Sequence, residues 1–344
     1  MAIIDNPKLY FQTKLYTGNG STNHAITLDG DENMQPDLSW IKQRSGAEWH
    51  ILIDSVRGVT KYINSNDTGA ERTSSNFIES FDSNGFTLGS ANDTNQNSQT
   101  YASWNFKAGG TAVSNTDGSI TSSVSANQDA GFSIVSWTGN GTDNATVGHG
   151  LSQKPDMVII KARENTSSWL TWHKDLTGAG YAVFLDATDA QANYNILKNQ
   201  SSSVLTLSTN SAVNANTQGF ISYNFHSVQG YSKFGSYTGN GSTDGTFVYT
   251  GFKPAFVIQK RTDSASNWEI YDNKRGSFNT NDETLYANLS NVEADAGNGL
   301  DFLAQGFKWR TNASYVNASG GSYIYMSFAE NPFVTSSGVP ATAR

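Results

Sequence analysis

The 344-residue chain contains no cysteine, which excludes disulfides, thiolate metal sites and cysteine-based redox chemistry. It is also poor in charge. Asp, Glu, Lys and Arg make up 15% of it, against roughly a quarter in an average soluble domain. The 22 basic residues are outnumbered by 30 acidic ones, giving a formal net charge of −8, and they form no run or stripe. Such a chain lacks the electrostatic footprint of a nucleic-acid binder. No apolar stretch approaches the ~18 residues that read as a membrane helix, so no membrane insertion is expected. The opening residues MAIIDNP have neither a charged n-region nor an apolar h-region, so no secretory signal peptide is expected.

What is abundant is equally informative. Aromatic residues reach 12%, with 8 Trp, 15 Tyr and 18 Phe, alongside 32 Gly and a wealth of Asn, Ser and Thr. Disordered chains are poor in aromatics, so this chain is expected to fold. A hydrophobic fraction of 37% with a mean hydropathy of −0.47 fits several modest cores under a wide polar surface.

An internal repeat organises the chain. Three segments open alike, at Tyr16–Gly20 (YTGNG), Trp137–Gly141 (WTGNG) and Tyr237–Gly241 (YTGNG). Each is followed by a proline and an apolar run that ends in lysine at the same spacing: Pro36 to Lys42, Pro155 to Lys161 and Pro254 to Lys260. A polar turn and a second run then begin at Trp49, Trp169 and Trp268, and end at Asp54, Asp175 and Asp272. Repeats one and three continue to Arg57-Gly58 and Arg275-Gly276, which repeat two lacks. Each repeat closes on an aromatic run, at Tyr101–Phe106, Phe220–Phe225 and Tyr323–Phe328. A period of about 100 residues is that of a domain, whereas solenoid and propeller repeats are shorter, at about 20–50 residues.

Within a repeat the local signal is β. Trp49, Ile51 and Ile53 share one parity, Val158–Ile160 and Phe256–Ile258 are branched or aromatic runs suited to central strands, and the Gly-Asn-Gly turns tolerate positive φ. The pattern predicts an all-β protein of three tandem β-sandwich domains of concanavalin-like or jelly-roll-like type. These are expected at residues 1–110, 131–228 and 229–333. Residues 111–130 form a Gly/Ser/Thr-rich linker, although the even spacing of Ile120, Val124, Phe132 and Ile134 suits a strand there; residues 334–344 form a tail.

Catalytic constellations are missing. There is no His-Glu-x-x-His, Gly-x-Ser-x-Gly or Walker loop, and the Gly-Asn-Gly turns lack the third glycine of a dinucleotide fingerprint. The acidic stretches at Asp29–Asn33 and Asp93–Asn97 resemble calcium loops but carry Met34 and Ser98 where a glycine is needed, and Trp40 and Trp104 where a glutamate is needed. His24, His50, His149, His173 and His226 recur at no common position and read as structural. Asp54, Asp175 and Asp272 read as turn-stabilising residues, and Lys42, Lys161 and Lys260 as their exposed ion-pair partners. Trp49, Trp169 and Trp268 have the chemistry to stack on sugar rings, but a position kept in three repeats reads first as core. One recurring carboxylate per repeat supplies no acid/base pair, so no pocket with two suitably spaced carboxylates is expected, and no enzyme activity, cofactor or metal.

Several motifs together resemble a known family. They are the YTGNG openings, the Pro-Asp-x-x-x-Ile-Lys-x-Arg runs at Pro36–Arg44 and Pro155–Arg163, the turn Asp54–Gly58, and the segments Gly85–Gly89, Asp117–Ser122 and Phe328–Phe333. They are similar to virion-associated proteins of marine bacteriophages that infect cyanobacteria and SAR11-type hosts, with similarity from Leu9 to Phe333. Repeat three departs most, with Ala255 for Asp and Thr262 for Arg. The resemblance implies lectin-like β-sandwiches on a phage particle, made in the host cytoplasm, and supplies no catalytic or ligand residues. The expected function is therefore a non-enzymatic structural protein on the virion exterior, in a tail fibre or as capsid decoration. Its expected partners are other virion proteins, further copies of itself and host-surface glycans. The alternatives are a carbohydrate-binding lectin or adhesin and, behind it, a glycan depolymerase.

Overall fold

The computed structural model describes residues 4–339 and is all-β, with only single-turn helices. Each repeat builds an inner sheet from four strands. We call them opening, lysine, fourth and closing strands, in chain order. In repeat one they are Phe11–Thr17, Leu38–Gln43, Ile51–Asp54 and Thr100–Phe106. In repeat two they are Phe132–Thr138, Met157–Ala162, Leu170–His173 and Gly219–Phe225. In repeat three they are Ser232–Thr238, Phe252–Arg261, Trp268–Asp272 and Ser322–Pro332. The spatial order is opening, closing, lysine, fourth in all three, and every pairing is antiparallel. A second layer covers each inner sheet, led by strands His24–Thr27, Thr146–Gly148 and Phe247–Tyr249.

Side-chain alternation divides each inner strand between two cores. Leu38 and Trp40, Met157 and Ile159, and Phe256 and Ile258 face a central core built by all three repeats. Their neighbours Ile41, Val158 and Val257 face three separate outer cores between the two layers of each repeat. At the centre, the closing residues Phe106, Phe225 and Phe328 meet one another, with ring centroids 5.4–6.3 Å apart. The three repeats thus share their largest core.

Segment 111–130, expected as a linker, is structured: Val113–Asn115 pairs with Ser122–Asn127, which pairs in turn with the opening strand of repeat two. Val124 opposite Val135 fixes that register, so the even apolar spacing outweighs the Gly/Ser/Thr composition. Of the expected tail, Ser336 donates through its backbone N–H and hydroxyl to Asp5 near the other terminus; residues 340–344 lie outside the described residues.

The YTGNG turns are held by one device. A buried asparagine ends each single-turn helix: Asn95, Asn214 and Asn317. Its Oδ1 accepts from the backbone N–H of Asn19, Asn140 or Asn240, and its Nδ2 donates to backbone carbonyls on both sides, such as Ser21 and Gly89 in repeat one. The first glycine of each turn is required because a Cβ would sit 2.3–2.4 Å from a carbonyl oxygen of the segment just after that helix, and the second because it holds φ of +67° to +70°.

Candidate functional site

Strand register revises which residues are equivalent. Leu38 pairs with Asp54, Met157 with His173 and Phe256 with Asp272, so His173, not Asp175, holds the aspartate position in repeat two. Its Nδ1 accepts the backbone N–H of Asp175, as the carboxylates of Asp54 and Asp272 accept those of Val56 and Lys274. Burial lowers the His173 pKa to about 4. The same register aligns Trp169 and Trp268 with His50, leaving Trp49 one position outside the pattern. Trp169 and Trp268 are core, as expected, and donate to Asn64 O and Phe184 O of the preceding repeat. His50 Nε2 donates to Tyr286 O in the corresponding way, while its Nδ1 accepts from Trp40, and burial keeps it neutral.

The lysines are not exposed partners of the aspartates. Lys42, Lys161 and Lys260 are buried and donate to backbone carbonyls, including Gly46 O, Ser167 O and Ser266 O of their own hairpins. Lys161 and Lys260 also reach Thr68 O and Thr188 O of the preceding repeat. Burial lowers all three pKa values to about 8.

The aspartates belong instead to charge chains that cross between repeats. Asp54 binds Arg57, Arg57 faces Glu71, and Glu71 binds Arg163 of repeat two. In the same order, Asp272 binds Arg275, Arg275 binds Glu293, and Glu293 binds Arg44 of repeat one. Closing-strand residues of a neighbouring repeat complete each chain, with Tyr223 donating to Asp54 and Trp104 to Asp272. From repeat two to repeat three the whole set is uncharged: neutral His173, Leu176, Gln191 and Thr262, with Met326 in the closing strand. The set keeps its backbone bond, from Gln191 N to Thr262 O, matching those from Glu71 to Arg163 and from Glu293 to Arg44. Thr262, read from sequence as a departure of repeat three, answers Gln191 of repeat two.

Trp49, outside the repeat register, is 43% exposed and lines a surface pocket of about 290 Å³. This corrects its assignment to the core. The volume is at the lower end of small-molecule pockets, ~300–1,000 Å³. Arg72 stands over the Trp49 ring, 6.0 Å from its centroid, and is held by Asp67 and by Asn64 Oδ1 at 2.6 Å. Tyr62, packed edge-on against Phe77, lines another part of the pocket. Glu48 and Asp93 also line it, so two carboxylates share this pocket. Burial raises the Asp93 pKa, opposed by backbone N–H groups including that of Trp49 and by Lys42. An aromatic face rimmed by an amide, a guanidinium and carboxylates has the chemistry to stack on a sugar ring and bind its hydroxyls. Glu48, Tyr62 and Arg72 carry no motif, and Asp93 stands in a stretch that fails as a calcium loop. The signal that marks the site is the one-residue offset of Trp49.

Other residues singled out in the sequence make contacts within the fold. His24 bonds to Asn95, and His149 accepts from Leu151 N. Asp29 and Asp31 pair with Lys14 and Lys8. Among the described residues, no group of three or more His, Asp or Glu is placed to hold a metal ion, and no helix is long and apolar enough to cross a membrane.

No curated protein and no solved structure matches the chain. One family model matches it, described as a domain of unknown function (DUF7483), over residues 6–332. The matched span takes in all three repeats together, as does the shared central core, and the chain belongs to this DUF7483 family.

Proposed function

We propose that the protein is a non-enzymatic structural component of a bacteriophage exterior, in the tail or on the capsid, and that the Trp49 pocket contacts host-surface glycans. The exposed indole of Trp49, backed by Arg72 and rimmed by Asn64, Tyr62 and Asp93, carries the glycan reading. The virion reading is supported by the sequence resemblance and by a body suited to display: a shared core, interfaces joined by buried polar groups and a sparsely charged polar surface. Cryo-electron microscopy of the purified particle tests the location. Density on the tail or capsid supports the reading, and absence from the particle overturns it. A glycan array probed with the protein and with Trp49→Ala tests the pocket, where binding that survives the substitution overturns the assignment of this site.

The joint presence of Glu48 and Asp93 favours a second reading, a glycan-cleaving enzyme, since glycoside hydrolysis uses two carboxylates flanking the scissile bond. Released reducing ends that vanish in Glu48→Gln and Asp93→Asn would replace the non-enzymatic reading with this one.

A further inference from the structure

The three sandwiches differ on one side, where the opening strand forms the edge of the inner sheet. In repeat two that side is closed by the chain itself. Ser122–Asn127 pairs along the opening strand, Ile120 bridges Val147 of the outer layer, and Ser122 Oγ donates to Gly148 O, so one extended segment seals both layers. In repeats one and three the opening strands Phe11–Thr17 and Ser232–Thr238 end their sheets. Repeat one blunts its edge with Lys14, which pairs with Asp29. A charge on an edge strand is a known guard against added strands.

Repeat three carries its edge lysine two positions earlier, at Lys233, where it lines the recess beside the strand. The position of Lys14 is taken by Gly235, and that of Ser103 by Tyr325, whose hydroxyl fills the space of a Cβ on Gly235 at 2.8 Å. Phe247 and Tyr249, in the places of Thr146 and Gly148 that the sealing segment covers in repeat two, are 46% and 59% exposed. They line a groove of about 410 Å³ along the opening strand, bounded across the way by Lys174 and Asp175 of repeat two.

We propose that this groove binds an extended segment of a partner polypeptide, which adds a strand to Ser232–Thr238 as residues 117–128 do in repeat two. Strand addition supplies affinity through the backbone and specificity through pockets for alternate side chains. By the pattern of repeat two, where Ser123 and Ser125 lie opposite the opening strand on its central-core face, the partner segment carries small residues on that face and apolar ones toward Phe247 and Tyr249. The edge lies between Lys174 and Asp175 of repeat two and the exposed aromatics, as the edge of repeat two lies beneath its own sealing segment.

The test uses the intact protein with a library of random 12-residue peptides, to which the peptide of residues 117–128 is added. Selected peptides are measured by fluorescence anisotropy and mapped by amide hydrogen exchange. Expected are peptides that compete with one another, slow exchange in 232–238, and bind at least tenfold more weakly to Phe247→Ser/Tyr249→Ser. The pair Gly235→Lys/Tyr325→Ser, which installs the residues of repeat one, gives the same loss; if it does not fold, the exposed aromatic pair still decides. No selected peptide, protection elsewhere, or protection of 232–238 on concentrating the protein alone would overturn the proposal.

Discussion

Arg44 and Glu293, 249 positions apart, join the last repeat to the first: the guanidinium donates to both carboxylate oxygens at 2.6–3.0 Å. The contact matches that between Arg163 and Glu71. With the neutral pairing of Gln191 and Thr262, the three repeats clasp one another in a cycle, so each repeat both gives and receives the same contact.

The charge chains act as sets, and this predicts a non-additive mutant series. Arg57→Leu alone leaves Asp54 and Glu71 facing each other without their shared cation, and is expected to cost about 3–5 kcal/mol in chemical denaturation. Installing the whole neutral set, Asp54→His, Arg57→Leu, Glu71→Gln, Arg163→Thr and Tyr223→Met, is expected to recover most of that loss. A combined variant less stable than Arg57→Leu would refute the set.

The turn asparagines are expected to matter more than their neighbours. Asn214→Ala removes the acceptor for Asn140 N and the donor to Thr142 O, both at the surface turn, and the donor to Ser208 O inside the fold. Leaving the buried Ser208 carbonyl unmade, with the turn bonds lost beside it, gives an expected loss of about 1–3 kcal/mol. A shift in the urea midpoint corresponding to under 1 kcal/mol would show that water replaces the side chain.

Acidification below pH 6.5 is expected to destabilise the protein. His50, His149 and His173 have folded pKa values lowered by burial, the latter two to about 4, so the unfolded chain takes up protons that the folded one refuses. Each histidine contributes up to about 1.4 kcal/mol per pH unit between 6.5 and its folded pKa. Glu269 opposes them: burial raises its pKa to about 8, so its contribution is greatest at low pH and declines from 4.5 to 8. Denaturation midpoints are therefore expected to fall as the pH drops from 6.5 to 5, where three histidines outweigh one glutamate. A midpoint that rises steadily from pH 6.5 to 5 would contradict the three neutral histidines.

Alkaline conditions report on the lysines. Their folded pKa values of about 8 lie below the unfolded 10.5, so between these limits the unfolded chain holds more protons and folding gains stability as pH rises. Above pH 10 the buried tyrosines, whose folded pKa values are raised by burial, reverse the trend as unfolded tyrosines ionise. The rise between pH 8.5 and 10 is expected to be shallower in Lys161→Met; an unchanged slope would place that titration elsewhere.

Much of the fold was legible in the sequence because it rests on local rules. Period-two alternation, a fixed proline-to-lysine spacing and glycines at positive φ announce strands and turns without knowledge of their neighbours, and the triplication of those signals made the repeat unmistakable. Equivalence between repeats was misread where it depends on pairing. Asp175 follows two residues after the true aspartate position and Trp49 one before the true tryptophan position, and only the register against the lysine strands separates them.

The amino-acid sequence by itself determined the all-β class, the three repeats and their turn chemistry, because backbone preference and side-chain alternation act over a few residues. Tertiary structure alone decided that the repeats share one central core, that the lysines are buried against carbonyls, and that Trp49, Arg72 and Asp93 line one pocket. It also decided that repeat three is left with an open edge. Each of these depends on contacts between residues tens to hundreds of positions apart, where burial and charge compensation are properties of the assembled surfaces and of no single stretch of chain.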